Sequence, residues 1–518
     1  MLFSEGLAML GDGIGHLMTL SNLFTIAWAT LLGIIIGMLP GLTATMGVAL
    51  LVTLTYNMPG DQAILSLICM YVGAIYGGSR SAILLNIPGT PASAATSLDG
   101  HPLAKKGLAG YAMGLATTSS AIGTVVGIFC LALLAPMLSE LAFDFGSYEF
   151  FWLAAFGVVI CGKLTSPTDA LKGYISGILG LLVAMIGMES LQAYQRFTFD
   201  MPELSGGVGI IPAMVGAFGF AEILTVMRNR KDSQVITSKD RVIPRFVDVW
   251  RYRRTIFRSG IIGTLVGIIP GVGEDIGSWA SYAAARRASK EKEKFGDGSY
   301  EGLTAAETGN SAVIPGAMIP VLTLAIPGST SAAVLIAAMF IHDIQPGPTL
   351  MIQNPSFLYQ VIAMLLFTTL AITAYGLSMS KLLIKVLSIP REKLMPIVYI
   401  LCVVGPFAIT QRMFDVYVMI FFGIAGFILR ELKFPMAPIV LGIILGTLLD
   451  TNLRRGLMLS GGDPAPFFTR PISMVLCAVT FLAILLSIPL FRKMVASLFA
   501  SIGLSRAPVK TADKPSQL

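Results

Sequence analysis

Apolar residues fill this chain in long continuous runs rather than in the three-to-four spacing of an amphipathic surface helix. The runs 20–39, 110–138, 358–387 and 475–491 reach or approach the roughly 20 residues that cross a bilayer as a helix. Two stretches break the pattern. AIYGGSRSAILLNIPGTPASAATSLDGHP, residues 74–102, interrupts an apolar segment with Asn86, Pro88, Gly89 and Pro91, and TLAIPGST, residues 323–330, does the same with Pro327 and Gly328. Proline removes a backbone donor and glycine loosens the chain, so neither stretch continues as one helix. In hydrocarbon a break is tolerated only where protein buries it or a water-filled cavity receives it, so each break marks a candidate site.

The interruptions belong to a larger duplication. Gly33, Gly37, Pro40 and Gly41 recur as Gly263, Gly267, Pro270 and Gly271, all at an offset of 230, and a Pro-Gly break follows in each copy. Loop charge sets their orientation. Ten Lys and Arg between 227 and 259 place that linker in the cytoplasm, the approach to the first copy carries only Glu5 and Asp12, and Lys105 and Lys106 follow the first break whereas 342–348 has no Lys or Arg. The copies therefore enter from opposite sides. The expected architecture is an all-α polytopic integral membrane protein of inverted-topology repeats, with broken helices or re-entrant hairpins and roughly 10 to 14 membrane segments. Its expected parts are a first repeat 1–227, a basic cytoplasmic linker 228–259, a second repeat 260–450, an extra C-terminal helix 451–493 and a cytoplasmic tail 494–518. Within the repeats, crossings are expected at 107–138, 148–161, 170–188 and 208–227, then at 357–388, 397–409, 417–429 and 437–449. Arg454 and Arg455 then fall in an outside loop, against the charge rule.

Composition narrows the class. With 55% hydrophobic and 13% charged residues the chain is too apolar for a soluble domain, and its net charge of +7 sits in loops, so a bilayer rather than nucleic acid is the implied partner. The five cysteines are scattered through apolar runs and read as packing residues. No phosphate-binding GxxxxGK[ST], no HExxH and only three histidines occur, which argues against ATP hydrolysis and zinc catalysis; no catalytic residue, cofactor or metal is expected beyond a coupling Na⁺ or H⁺.

Small polar residues beside the breaks carry the remaining chemistry. Thr43, Ser79, Arg80, Asn86, Gly89 and Thr90 in the first half, and Gly328, Ser329 and Thr330 in the second, are candidate substrate-binding residues. A broken helix offers free amides at its new N-terminus to an anion. Freed carbonyls and nearby acids suit a cation, which makes Asp275, Glu274, Glu307 and Asn310 candidates for the coupling ion. Pro40, Gly41, Pro88, Pro270, Gly271 and Pro327 are the expected hinges. Gly33, Gly37, Gly263 and Gly267 read as close-packing residues. An anion channel, an uptake system for a different carboxylate, or a membrane-embedded enzyme using Glu274, Asp275 and Glu307 are the alternatives.

Four stretches carry a family resemblance: PGLTATMGVALL (40–51), YGGSRSAILLNIPGTPASAATSLDGHPLAKKG (76–107), IPGVGEDIGSWASYAAARRASK (269–290) and LTLAIPGSTSAAVLIAAMFIHDIQPGP (322–348). In these the chain resembles the TctA family, the large membrane subunit of the tripartite tricarboxylate transporters. The resemblance implies a secondary importer of citrate-like carboxylates in the bacterial inner membrane, working with a small TctB-like membrane subunit and a periplasmic TctC-like solute-binding protein.

The inverted scheme puts the N-terminus outside and the C-terminus in the cytoplasm. Cysteines at Ser4 and Ser516 should then react with impermeant reagents from opposite faces, and labelling of both from the cytoplasm would contradict the scheme.

Overall fold

The computed structural model describes residues 2–39, 42–165, 169–189, 191, 193–228, 240–270, 273–379, 385, 387 and 391–485. The first half comprises α1 (Leu2–Leu17), α2 (Leu20–Met38), α3 (Ala44–Thr55), α4 (Gly60–Leu85), α5 (Ala94–Lys105), α6 (Ala109–Ala142), α7 (Ser147–Thr165), α8 (Ala170–Ala184), α9 (Ile210–Met214) and α10 (Ala221–Arg228). After α11 (Phe246–Arg251) the second half comprises α12 (Arg253–Gly267), α13 (Gly273–Ala288), α14 (Tyr300–Leu324), α15 (Thr330–Ile341), α16 (Pro348–Gln353), α17 (Ser356–Ser378), α18 (Arg391–Thr410), α19 (Met413–Glu431), α20 (Ala437–Leu459), α21 (Pro466–Thr469) and α22 (Pro471–Leu485). Among the described residues eight helices are long and apolar enough to cross a membrane, and four shorter apolar helices, α3, α8, α15 and α22, accompany them. Large apolar side chains such as Phe129, Leu133 and Met137 on α6 and Phe421 on α19 face outward, as lipid contact requires. The chain is an all-α polytopic membrane protein.

Both halves are built round the same backbone contact. On α2, Gly33 and Gly37 lie so close to α4 that added Cβ atoms would stand 2.6 Å from the Met70 carbonyl oxygen and 1.9 Å from that of Ala74. On α12, Gly263 and Gly267 meet the carbonyls of Gly309 and Val313 on α14 at 2.4 and 2.5 Å in the same sense. Without side chains at these positions the two main chains touch, which maximises dispersion contact where lipid offers no hydrophobic drive.

The breaks use the same geometry. Residue Asn86 ends α4 in the left-handed conformation (φ 56°, ψ 27°), and Ala325 ends α14 in the same one (φ 56°, ψ 31°). From there each chain doubles back. The Gly89 amide donates to the Gly78 carbonyl at 3.2 Å while a Cβ on Gly89 would lie 2.0 Å from the Gly37 carbonyl. In the other half Gly328 stands against the Gly267 carbonyl and Ala317. Gly78 and Ala317 each lie seven residues before the end of their helix, so each chain retreats roughly 10 Å, at 1.5 Å per residue, before α5 or α15 begins. Two helices thus start deep inside the protein.

Several expected boundaries move. Arg454 and Arg455 lie on α20, which runs ten residues beyond the expected 449, and not in a loop. The extra turns are held by packing of Gly456 against Phe467 and Tyr148, to which an ion pair from Arg454 Nε to Asp450 Oδ1 at 3.1 Å, one helical turn away, adds. The expected crossing 208–227 is one helical span, Ile210–Arg228, that contains a π-helical turn at Val215–Phe220, where Gly216 meets the backbone of Met419 on α19. Part of the basic linker is helical: α11 lies within it, and α12 begins at Arg253 rather than at residue 260. A two-residue ribbon pairs Gly187–Met188 with Gln195–Arg196, a small β element not expected from the pattern. The tail 494–518 and residues 486–493 of the extra helix lie outside the described residues.

The halves interlock at the basic end. Asp99 of α5 accepts from the amides of Gly296 at 2.8 Å, Gly298 at 3.0 Å and Ser299 at 2.8 Å, tying the first re-entrant arm to the loop that starts α14. A carboxylate with three amide donors is a strong clasp.

Because the break glycines touch backbone and not yielding side chains, Gly89→Ala and Gly328→Ala should each destabilise by about 1–3 kcal/mol or more. Detergent melting should show both losses, while Gly11→Ala, inside α1 with nothing within 4 Å of its Cβ, should keep or slightly raise the melting temperature.

Candidate functional site

The retreat of the chain at 325–329 delivers the start of α15 to a buried polar cluster. Ser329 is its N-cap, its Oγ accepting from the Ala332 amide at 3.1 Å. The same oxygen meets Tyr71 Oη of α4 at 2.8 Å, and Tyr71 also donates to Glu274 Oε2 at 3.3 Å. Glu274 begins α13, where the helix dipole favours a carboxylate, and its Oε1 accepts from Ser331 Oγ at 3.3 Å. Thr45, near the start of α3, closes the ring with Thr330 Oγ1 at 2.8 Å and Ser331 Oγ at 3.1 Å. Four helices, two from each half, therefore meet through hydroxyls, one carboxylate and helix starts whose first amides have no intrahelical acceptor. Glu274 is only 7% exposed.

The first break is less richly furnished. Thr90 precedes a short 3₁₀ turn, Pro91–Ser93, whose Ser93 Oγ donates to the Thr90 carbonyl at 2.8 Å and accepts from its amide at 3.2 Å. Asn86 is exposed at the left-handed end of α4, where asparagine is well tolerated, and stands away from these buried groups. Thr43 is the N-cap of α3, accepting from the Met46 amide at 3.2 Å. Pro88 is half-buried, Pro270 and Pro327 are buried, and Gly89 and Gly328 are the points of backbone contact already described. Pro40, Gly41, Gly271 and the side chain of Asp275 lie outside the described residues.

A second buried constellation lies between α4, α6 and α14. Glu307, 0% exposed, accepts from Ser120 Oγ at 2.9 Å and from Thr96 Oγ1. Arg80, 2% exposed, lies over the Tyr76 ring with its guanidinium carbon 4.2 Å from the centroid. Its Nη1 donates to the Met113 carbonyl at 2.6 Å and to Thr117 Oγ1 at 3.2 Å, whereas Nε and Nη2 have no hydrogen-bond partner. Thr117 and Ser120 are three residues apart on one face of α6, so the guanidinium and the carboxylate attach to neighbouring turns without forming an ion pair. Ser79 Oγ and both amide atoms of Asn310 are also buried without partners.

The structure thus joins Glu274, Ser329 and Thr330, and among the described residues no hydrogen bond links Glu307 or Asn310 to them. The candidate ion ligands divide between two places. Sequence reasoning missed Tyr71, Thr96 and Ser120. Tyr71 was legible in one respect: it stands 239 residues before Asn310, the offset that separates Pro88 from Pro327, so a polar residue occupies that place in both copies. The donors round Glu274 are all oxygens, a set that suits a hard cation.

These features define a multi-pass helical membrane protein with two buried helix starts facing polar clusters. The model described as "Tripartite tricarboxylate transporter TctA family" matches residues 23–441, and the chain belongs to that family. It is 34% identical over 461 residues, 88% of this chain and 91% of the relative, to a protein of Agrobacterium vitis named "Uncharacterized 52.8 kDa protein in TAR-I ttuC' 3'region". It is also 34% identical over 226 residues, 44% of this chain and 93% of the relative, to an "Uncharacterized protein in TAR-II ttuC' 3'region" of the same organism. No solved structure matches it.

Since Tyr71 joins Glu274 to Ser329, Tyr71→Phe and Glu274→Gln should not be additive. A double-mutant cycle on detergent unfolding should give a coupling of about 0.5–3 kcal/mol, and additivity would separate the two groups.

Proposed function

We propose that the chain is the large membrane subunit of a binding-protein-dependent secondary transporter that imports tricarboxylates or related organic carboxylates across the bacterial inner membrane, driven by a Na⁺ or H⁺ gradient. Membership in a family of transporters supplies the class, and one structural observation supports the site: two interrupted helices restart about 10 Å inside the protein, one on Ser329 and Thr330, the other beyond Thr90. Amides and hydroxyls at a buried helix start hold a carboxylate by charge-assisted bonds, without a fixed cation that would impede release. Glu274, bonded to Tyr71 and Ser331 beside that start, takes the coupling cation or proton; Asp275, next in sequence, is a second candidate. Alternating access then follows from movement of one repeat against the other about the shared site. A small TctB-like membrane subunit and a periplasmic TctC-like binding protein complete the system, the latter delivering the carboxylate.

Vesicles holding all three components should accumulate a labelled citrate-like carboxylate only when an inward Na⁺ or H⁺ gradient is imposed. Thr330→Ala should raise the apparent substrate constant roughly tenfold to hundredfold, the effect of losing one hydrogen bond to a charged group, with little change in melting temperature. Unchanged affinity with a lowered melting temperature would instead assign Thr330 to fold support, and gradient-independent flux would favour a channel.

A further inference from the structure

Two adjoining cavities of about 340 and 410 Å³ lie between the ribbon, α9, α15 and α20, sharing Ile210, Thr447 and Thr451. Each is within the size range of small-molecule sites. The first is bordered by Arg196, Asp450 and main chain at Gly206, Gly207 and Gly209, which brings no side chain to fill the space. The second reaches Ala325, the left-handed residue at the second helix break, and Arg455. A continuous path of lining residues therefore runs from Arg196 to the break.

Charge along this path is arranged for an anion. Asp450 is already committed: its Oδ2 accepts from Arg196 Nη2 at 2.8 Å and its Oδ1 from Arg454 Nε at 3.1 Å. Arg196 is not used up by that pair, because its Nε and Nη1 are buried with no hydrogen-bond partner. Buried guanidinium N–H groups without acceptors are costly, and a carboxylate oxygen on either one gains a charge-assisted bond. Arg455 adds a further positive charge at the inner cavity.

We propose that these cavities form an anion vestibule, in which Arg196 receives one carboxylate of a small di- or tricarboxylate before the molecule passes Arg455 to the break at Ala325. The inference rests on the reading of carboxylates as cargo. The expected alternation of crossings from the basic linker puts this end of the molecule on the outer face, where a binding protein delivers its ligand. Ala325 holds a conformation that alanine rarely adopts, and such positions persist where surrounding structure requires them, here at the mouth of the inner cavity.

The test uses the full chain in lipid nanodiscs with Thr447→Cys, an exposed position shared by both cavities, as the reporter. Modification above that of the unsubstituted chain should be about tenfold faster with an anionic than with a cationic methanethiosulfonate reagent, and millimolar citrate, malate or succinate should slow it. Adding Arg196→Gln together with Asp450→Asn, which removes the ion pair without leaving a lone carboxylate, should abolish both the preference and the protection while the melting temperature shows the chain still folded. If the double substitution unfolds the chain, Arg196→Lys supplies the comparison, with protection expected to fall at least several-fold as the spare guanidinium donors are lost. Equal or faster reaction with the cationic reagent, or no protection by any of the three acids, overturns the vestibule. The reaction rates require no uptake, so failure of transport leaves this test intact, and loss of protection with transport intact refutes the vestibule alone.

Discussion

The structure depends on the contact between main chains at the helix breaks. A helix that stops inside a bilayer leaves carbonyls and amides that lipid cannot satisfy, and each must find a partner within the protein. Here the retreating strand packs onto the neighbouring helix so closely that only glycine fits at Gly37 and Gly89, and again at Gly267 and Gly328. That approach buries the break, and it also fixes the depth at which α5 and α15 begin. The polar clusters are a consequence of this depth: once a helix starts well below the surface, its first amides need hydroxyls, carboxylates or a ligand.

The two copies share this scaffold and differ in what they place on it. Tyr71 and Asn310 occupy matching positions, yet Tyr71 is bonded to both Ser329 and Glu274 while the Asn310 amide has no partner. Ile319 is the counterpart of Arg80 at the break offset of 239, so at this position one copy buries a cation and the other an apolar side chain. Duplication supplies backbone geometry, and the functional asymmetry lies in side chains substituted on it.

Burial of charge follows the same logic. Glu307 is surrounded by hydroxyl donors from α5 and α6, and Arg80 by a carbonyl, a hydroxyl and an aromatic face, rather than by each other. Ionisable groups at this depth are tolerated when hydrogen bonds replace the lost water.

The sequence by itself determined the class of protein, the places of the breaks and the packing glycines, because these follow from local rules. Apolar run length sets the crossings, Pro-Gly sets the interruptions, and the paired Gly spacing sets close approach. It also placed Glu274, Ser329 and Thr330 among the candidates, as polar residues beside a break. It could not show that Tyr71 and Thr45 reach that break from another half of the chain, or that Glu307 belongs with Thr96 and Ser120, since those contacts join residues 187 to 285 positions apart. Nor could it put Arg454 on a helix, because the packing of Gly456 on Phe467 and Tyr148 that holds those turns is a matter of tertiary contact rather than of hydropathy. Only tertiary structure decided which polar groups share a site, for the reason that in a bundle the partner of a buried group is chosen by the helix that happens to face it.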